Sequence, residues 1–124
     1  MSRDHRKLKA FQLADALVMD VYRTTRAFPK EEMFGLTSQM RRAAVSVAAN
    51  IVEGCARRTQ KDYVQFLNVA FGSLREVGYF LNLASRLEYV KDPATKELSE
   101  RYEETSRVLF GLIRSLTTER KSQD

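Results

Sequence analysis

Between residues 37 and 58 a run of small and apolar residues is interrupted by polar groups at regular spacing. Arg42, Ser46, Asn50, Glu53 and Arg57 recur every three or four positions, so on a helix they are neighbours along one side. Two chemistries are open to such a stripe. Buried charges need partners, so one reading is an ion-pair and hydrogen-bond network that fixes helix register or a subunit contact. It would join Arg42, Asn50 and Glu53 to Arg75 and Glu76, which lie just beyond Gly72-Ser73. The other reading is anion binding, with Arg41, Arg42, Arg57, Arg58 and Lys61 as phosphate ligands.

Covalent and metal chemistry find little to work with. The only histidine is His5, close to the N-terminus. The body of the chain therefore lacks the Glu-x-x-His pairs of di-iron bundles, a histidine zinc site and a Ser-His or Cys-His nucleophile pair. Cys55 is the single cysteine, which rules out an intrachain disulfide and a cysteine cluster and fits a reducing compartment. Its place on an apolar helix face suits a buried small hydrophobe. There is no phosphate-cradling glycine loop and no dinucleotide fingerprint. The expectation is a non-enzyme without cofactor or metal.

The elements that position these residues read as helices. Met40, Ala44, Val47, Ile51 and Cys55 have the 3, 4, 3, 4 spacing of one apolar face. Ala43 and Ala48 widen it, while Val45 and Val52 point elsewhere, so this helix (residues 40–55) is expected to have neighbours on most sides. Thr37 or Ser38 is its candidate N-cap. An earlier helix over 10–27 carries the line Leu13, Leu17, Val21, Thr25 and ends before Pro29. Phe28, Met33, Phe34 and Leu36, in the connection, are expected to cap the core or touch another subunit.

Thr59 followed by Asp62 resembles a capping box. It opens a long helix over 60–89 with the seam Tyr63, Leu67, Ala70, Leu74, Val77, Leu81 and Ala84. Gly72-Ser73 marks a close crossing. Asp92 as N-cap and Pro93 at the first position start a fourth helix. Its inner face is Leu98, Tyr102, Thr105, Leu109, Leu112, Ile113 and Leu116. Glu97, Glu100, Arg101, Glu103, Glu104 and Arg107 form a solvated face. Four helices with short connections imply an all-α, up-down-up-down four-helix bundle. It spans 10–118, between a flexible basic arm (1–9) and a flexible tail (119–124).

The 124 residues suit one domain. The formal net charge is +5. It sits in the first half: residues 1–62 hold 12 Lys/Arg against 7 Asp/Glu, and residues 63–124 hold 9 of each. A basic half is consistent with a phosphate-rich partner. The start lacks a signal-peptide core and no apolar run is long enough to span a bilayer. The expected location is the cytoplasm, with no membrane partner.

Phe28-Pro29, the run from Glu32-Met33-Phe34-Gly35-Leu36 to Ser46-Val47, Asn50-Ile51-Val52-Glu53-Gly54, Arg57-Arg58 and Phe71-Gly72-Ser73-Leu74-Arg75-Glu76 together resemble the bacterial 23S rRNA intervening-sequence proteins. The resemblance runs from about residue 10 to residue 115. It implies a four-helix bundle that assembles into a ring-like homo-oligomer, commonly a pentamer. Some members are encoded inside inserts in 23S rRNA genes, and a related branch serves as accessory protein to the reverse transcriptase of retroelements. Two functions follow as expectations: an oligomer that binds rRNA, other RNA or DNA through its basic surface, or a protein-interaction scaffold for a nucleic-acid enzyme such as a reverse transcriptase.

Overall fold

The computed structural model describes residues 3–123, with side chains described to residue 118. Four helices carry the fold: α1 Lys9–Thr25, α2 Leu36–Cys55, α3 Gln60–Arg86 and α4 Ala94–Gln123. Two short 3-10 turns, His5–Lys7 and Lys30–Glu32, precede α1 and α2. Among the described residues there is no strand. Each helix packs on the next and α4 closes back on α1, the up-down-up-down arrangement that short connections impose.

The apolar periodicity decides what is inside. Leu13, Leu17, Val21 and Thr25 of α1 are buried, as are Met40, Ala44, Val47, Ile51 and Cys55 of α2 and all seven seam residues of α3. In α4 only Leu98, Thr105 and Leu109 of the expected inner face are fully buried. Tyr102, Leu112, Ile113 and Leu116 are half-buried. Truncating a fully buried leucine such as Leu74 costs on the order of 2–5 kcal/mol. Val45 remains 41% exposed and Ala49 is exposed, so α2 is covered on fewer sides within one chain than its composition suggests.

Helix ends depart from expectation in instructive ways. Neither Thr37 nor Ser38 caps α2. The helix starts at Leu36, whose N–H donates to Glu32 Oε1 at 3.2 Å, so a side chain from the preceding 3-10 turn replaces a cap. Thr59 does cap α3, its Oγ1 accepting from the Asp62 N–H at 3.1 Å. α3 stops at Arg86 rather than 89. Glu88 takes a left-handed conformation (φ 63°), and the Tyr89 N–H reaches back to the Ala84 carbonyl at 2.9 Å, which closes the helix. α4 begins at Ala94, so Pro93 stands just outside it, and runs past the expected boundary at 118. Of the tail 119–124, the side chains lie outside the described residues, and so does residue 124 altogether.

The close helix approaches are made at other glycines than the one expected. Around Gly72 nothing lies within 4 Å of where a Cβ would stand. At Gly54 a Cβ would meet Phe66 Cβ at 3.0 Å, and at Gly78 it would meet the Tyr102 ring at 2.5 Å. α2 thus nears α3 at Gly54, and α4 nears α3 at Gly78. The partner of Gly72 in the sequence, Ser73, does sit at a crossing, hydroxyl to hydroxyl with Ser46 at 2.8 Å.

A candidate nucleic-acid interface at one end of the bundle

The five cations singled out in the sequence do not form one patch. Arg41 and Arg57 are sixteen residues apart on and just beyond α2, roughly 24 Å at 1.5 Å per residue. Arg41 is an internal tie. Its Nε donates to Thr25 Oγ1 at 2.9 Å and its guanidinium lies 4.7 Å from the Tyr22 ring. It joins α2 to α1 and is half-buried. Arg42, next to it, is exposed on the outer face of α2.

Arg57, Arg58 and Lys61 gather at the turn between α2 and α3. Arg57 is engaged too. It pairs with Glu53 at 3.2 Å, lies 5.6 Å from the Phe66 ring, and its carbonyl accepts a bond from Arg3 at 2.9 Å. Its Nε is buried without a hydrogen-bond partner. Arg58 and Lys61 are exposed.

From Arg3 onward the basic arm packs onto this same turn. Arg3 stacks 4.1 Å over the Tyr63 ring while bonding the Arg57 carbonyl. The Asp4 side chain accepts from the Arg6 N–H and starts the 3-10 turn. Bonds from the Arg6 side chain hold the Asp4 carboxyl below its ordinary range. His5 meets Phe11 edge-on at 4.7 Å. Gln60 at the start of α3 donates to the Leu116 carbonyl of α4 at 3.1 Å. Arg3, Arg6, Lys7, Arg58 and Lys61 therefore share one end of the molecule, and Arg114 of α4 lies near it.

The expected network across α2 and α3 resolves into smaller pieces. Asn50 turns back on its own helix, Nδ2 donating to the Ser46 carbonyl at 2.8 Å and to Ser46 Oγ at 3.0 Å. Glu53 pairs with Arg57. Arg42, Arg75 and Glu76 are exposed, and among the described residues none of them takes part in a salt bridge. The Ser46–Ser73 pair does the cross-helix bonding assigned in the sequence to charged residues. Its signal was the place of Ser46 in the polar stripe. The role of Arg3 had no such signal, because its partners are 54 and 60 positions away.

Cys55 and Tyr63 are buried side by side beneath Arg3. Burial pushes the Tyr63 hydroxyl up to about 12 and the Cys55 thiol up as well. A thiol held in its neutral form is a poor nucleophile. A hollow of about 910 Å³ lies between α1 and α4. It mixes both signs of charge around the Arg101–Asp20 pair at 3.0 Å, so Arg101 is a tie to α1 rather than part of a freely solvated face. Among the described residues no cluster of His, Cys, Asp and Glu suits a metal ion, and no helix is long and apolar enough to cross a membrane.

Residues 6–111 match the 23S rRNA-intervening sequence protein family. A solved structure from Bacteroides thetaiotaomicron, a protein of unknown function from the S23 ribosomal protein family, superposes with a TM-score of 0.77. It covers 85% of this chain and 95% of that one at 21% identity, a likeness that speaks to the fold. Comparison with curated proteins gave no match. A family match over nearly the whole bundle, on a chain with this four-helix fold, means that the protein belongs to the 23S rRNA-intervening sequence protein family.

Proposed function

We propose that this protein is a non-enzymatic homo-oligomer that binds rRNA or another nucleic acid through the basic end of its bundle. The observation that carries the reading is the meeting of the arm with the α2–α3 turn, which puts Arg3, Arg6, Lys7, Arg58 and Lys61 at one end. Phosphate contacts of this kind read shape and charge more than sequence. Assembly would repeat the basic end in each copy, so modest contacts would add. Arg58 and Lys61 are the exposed phosphate ligands. Arg41 and Arg57 hold the fold that presents them.

A titration by fluorescence anisotropy against structured RNA and duplex DNA, at low and near-physiological salt, tests this. Binding with a steep salt dependence is expected. No binding even at low salt would end the reading. A second reading, a scaffold or accessory subunit for a nucleic-acid enzyme such as a reverse transcriptase, draws on the opposite end, where Met33 and Phe34 stand exposed. A salt-resistant protein partner captured by the native chain and lost with Phe34→Ser would favour it.

A further inference from the structure

We propose that the outer face of α4 carries a stacking site for an unpaired nucleobase, with Phe110 as the platform and Arg107 and Arg114 as its phosphate contacts. The inference rests on the nucleic-acid reading and gives it a ligand class, single-stranded RNA or DNA. Phe110 is 48% exposed although it is a large aromatic residue in the middle of a helix. Phe71 of α3 braces it, the ring centroids 5.7 Å apart at an interplanar angle of 47°, so the ring is held on one side and open on the other. Arg107 and Arg114 stand three residues before it and four after, the spacing that puts all three on one face. The same three residues line a shallow hollow with Gly111, Ser115 and Thr118.

Charge complementarity selects the occupant. Both arginines are exposed, and among the described residues no carboxylate lies within salt-bridge distance of either. Glu103 and Glu104, one turn before Arg107, border a neighbouring hollow with it, and no acidic residue lies between Arg107 and Arg114. Gly111 supplies an independent observation. Glycine is a poor residue inside a helix, and nothing lies within 4 Å of where its Cβ would be, so packing within the chain does not require it. Bare backbone beside an exposed ring leaves room for a flat base. Every base has a π-face, and arginines on either side suit the flanking phosphates. A base inside a duplex is already stacked, so the site takes a single strand. Gln60 bonds the Leu116 carbonyl of this helix, so α4 passes beside the start of α3 at the basic end.

The chain contains no tryptophan, so Phe110→Trp places one reporter at the site. Its fluorescence should be quenched by a uridine 12-mer and not by inorganic polyphosphate of equal charge. Phe110→Leu should weaken binding of the 12-mer about tenfold while its melting temperature, its assembly and its affinity for duplex RNA stay those of the parent protein. Equal single-strand affinity for Phe110→Leu and the parent, or an unquenched tryptophan at saturation, overturns the site while leaving the basic end in place. A loss of oligomer mass with unchanged affinity also overturns it and makes Phe110 a subunit contact. Failure of the parent protein to bind any nucleic acid overturns both this site and the reading beneath it.

Discussion

The two ends of the bundle solve the same problem with opposite materials. Each must close helix termini and cover the last layer of core. At one end the arm folds over Cys55 and Tyr63, and the closing groups are cationic, with Arg3 on Tyr63 and on the Arg57 carbonyl. At the other end a carboxylate does the work. Glu32 accepts from the Leu36 N–H through one oxygen and from the Tyr89 hydroxyl through the other, at 2.9 Å. Phe28 packs on Tyr89 at 5.4 Å beneath them. Phe28 and Leu36 are buried there, while Phe34 is 96% exposed. Of the four apolar residues expected to cap the core or touch another subunit, Phe28 and Leu36 cap the core and Met33 and Phe34 face solvent. The difference is one of closing groups: cations seal one set of helix termini and a carboxylate seals the other.

Charge swaps sharpen this contrast most. Arg58→Glu with Lys61→Glu should lower RNA affinity on the order of 30-fold at low salt, measured by anisotropy. Lys30→Glu with Lys91→Glu at the far end should change it less than about threefold. Equal losses would erase the distinction between the ends. Next in size, Glu32→Ala removes a helix cap and the partner of a tyrosine, and should cost about 1–2 kcal/mol in urea unfolding. Thr59→Ala, which removes one cap bond at the basic end, should cost about 1 kcal/mol.

Alkaline titration separates the ends by cause. Tyr63 is raised by burial, up to about 12, and Tyr89 is raised chiefly by its bond to Glu32. A raised phenol favours the folded state while it keeps its proton. Its contribution is whole below pH 10, the ordinary value, and Tyr63's is lost as pH rises toward about 12. Tyr63→Phe should flatten the fall in stability over that window, and Glu32→Gln should leave the Tyr63 part of it unchanged. The smallest effects belong to the far end. Glu88→Gly, at a left-handed position, should stabilise by about 0.5–1 kcal/mol. Phe34→Ser should leave the melting temperature of the monomer unchanged, and a reduced mass in light scattering would identify Phe34 as a subunit contact.

Periodicity made the core legible. Burial of an apolar face repeats every three or four residues, so the seams of α1, α2 and α3 could be written down residue by residue. α4 was less legible in its second half, because a helix end with fewer neighbours leaves Leu112, Ile113 and Leu116 half-covered whatever their hydrophobicity. Chemistry between near neighbours is legible in the sequence, as in the Thr59 cap. The start of α2 is not legible in that way, because Glu32 reaches in from outside the helix. Gly72 and Gly78 look alike in a sequence; only the position of Tyr102 tells them apart.

The candidate interface divides along the same line. The sequence by itself determined the helices, their order, their buried faces and the excess of cations in the first half, because these depend on spacing and composition along the chain. The tertiary structure alone decided which cations are presented. It drew Arg41 onto Thr25 and Tyr22 and Arg57 onto Phe66, left Arg58 and Lys61 in solvent, and brought the arm to them from more than fifty residues away. The physical reason is that a guanidinium takes whatever acceptor or ring lies within a few ångströms of it, and that neighbourhood exists only once the helices have packed.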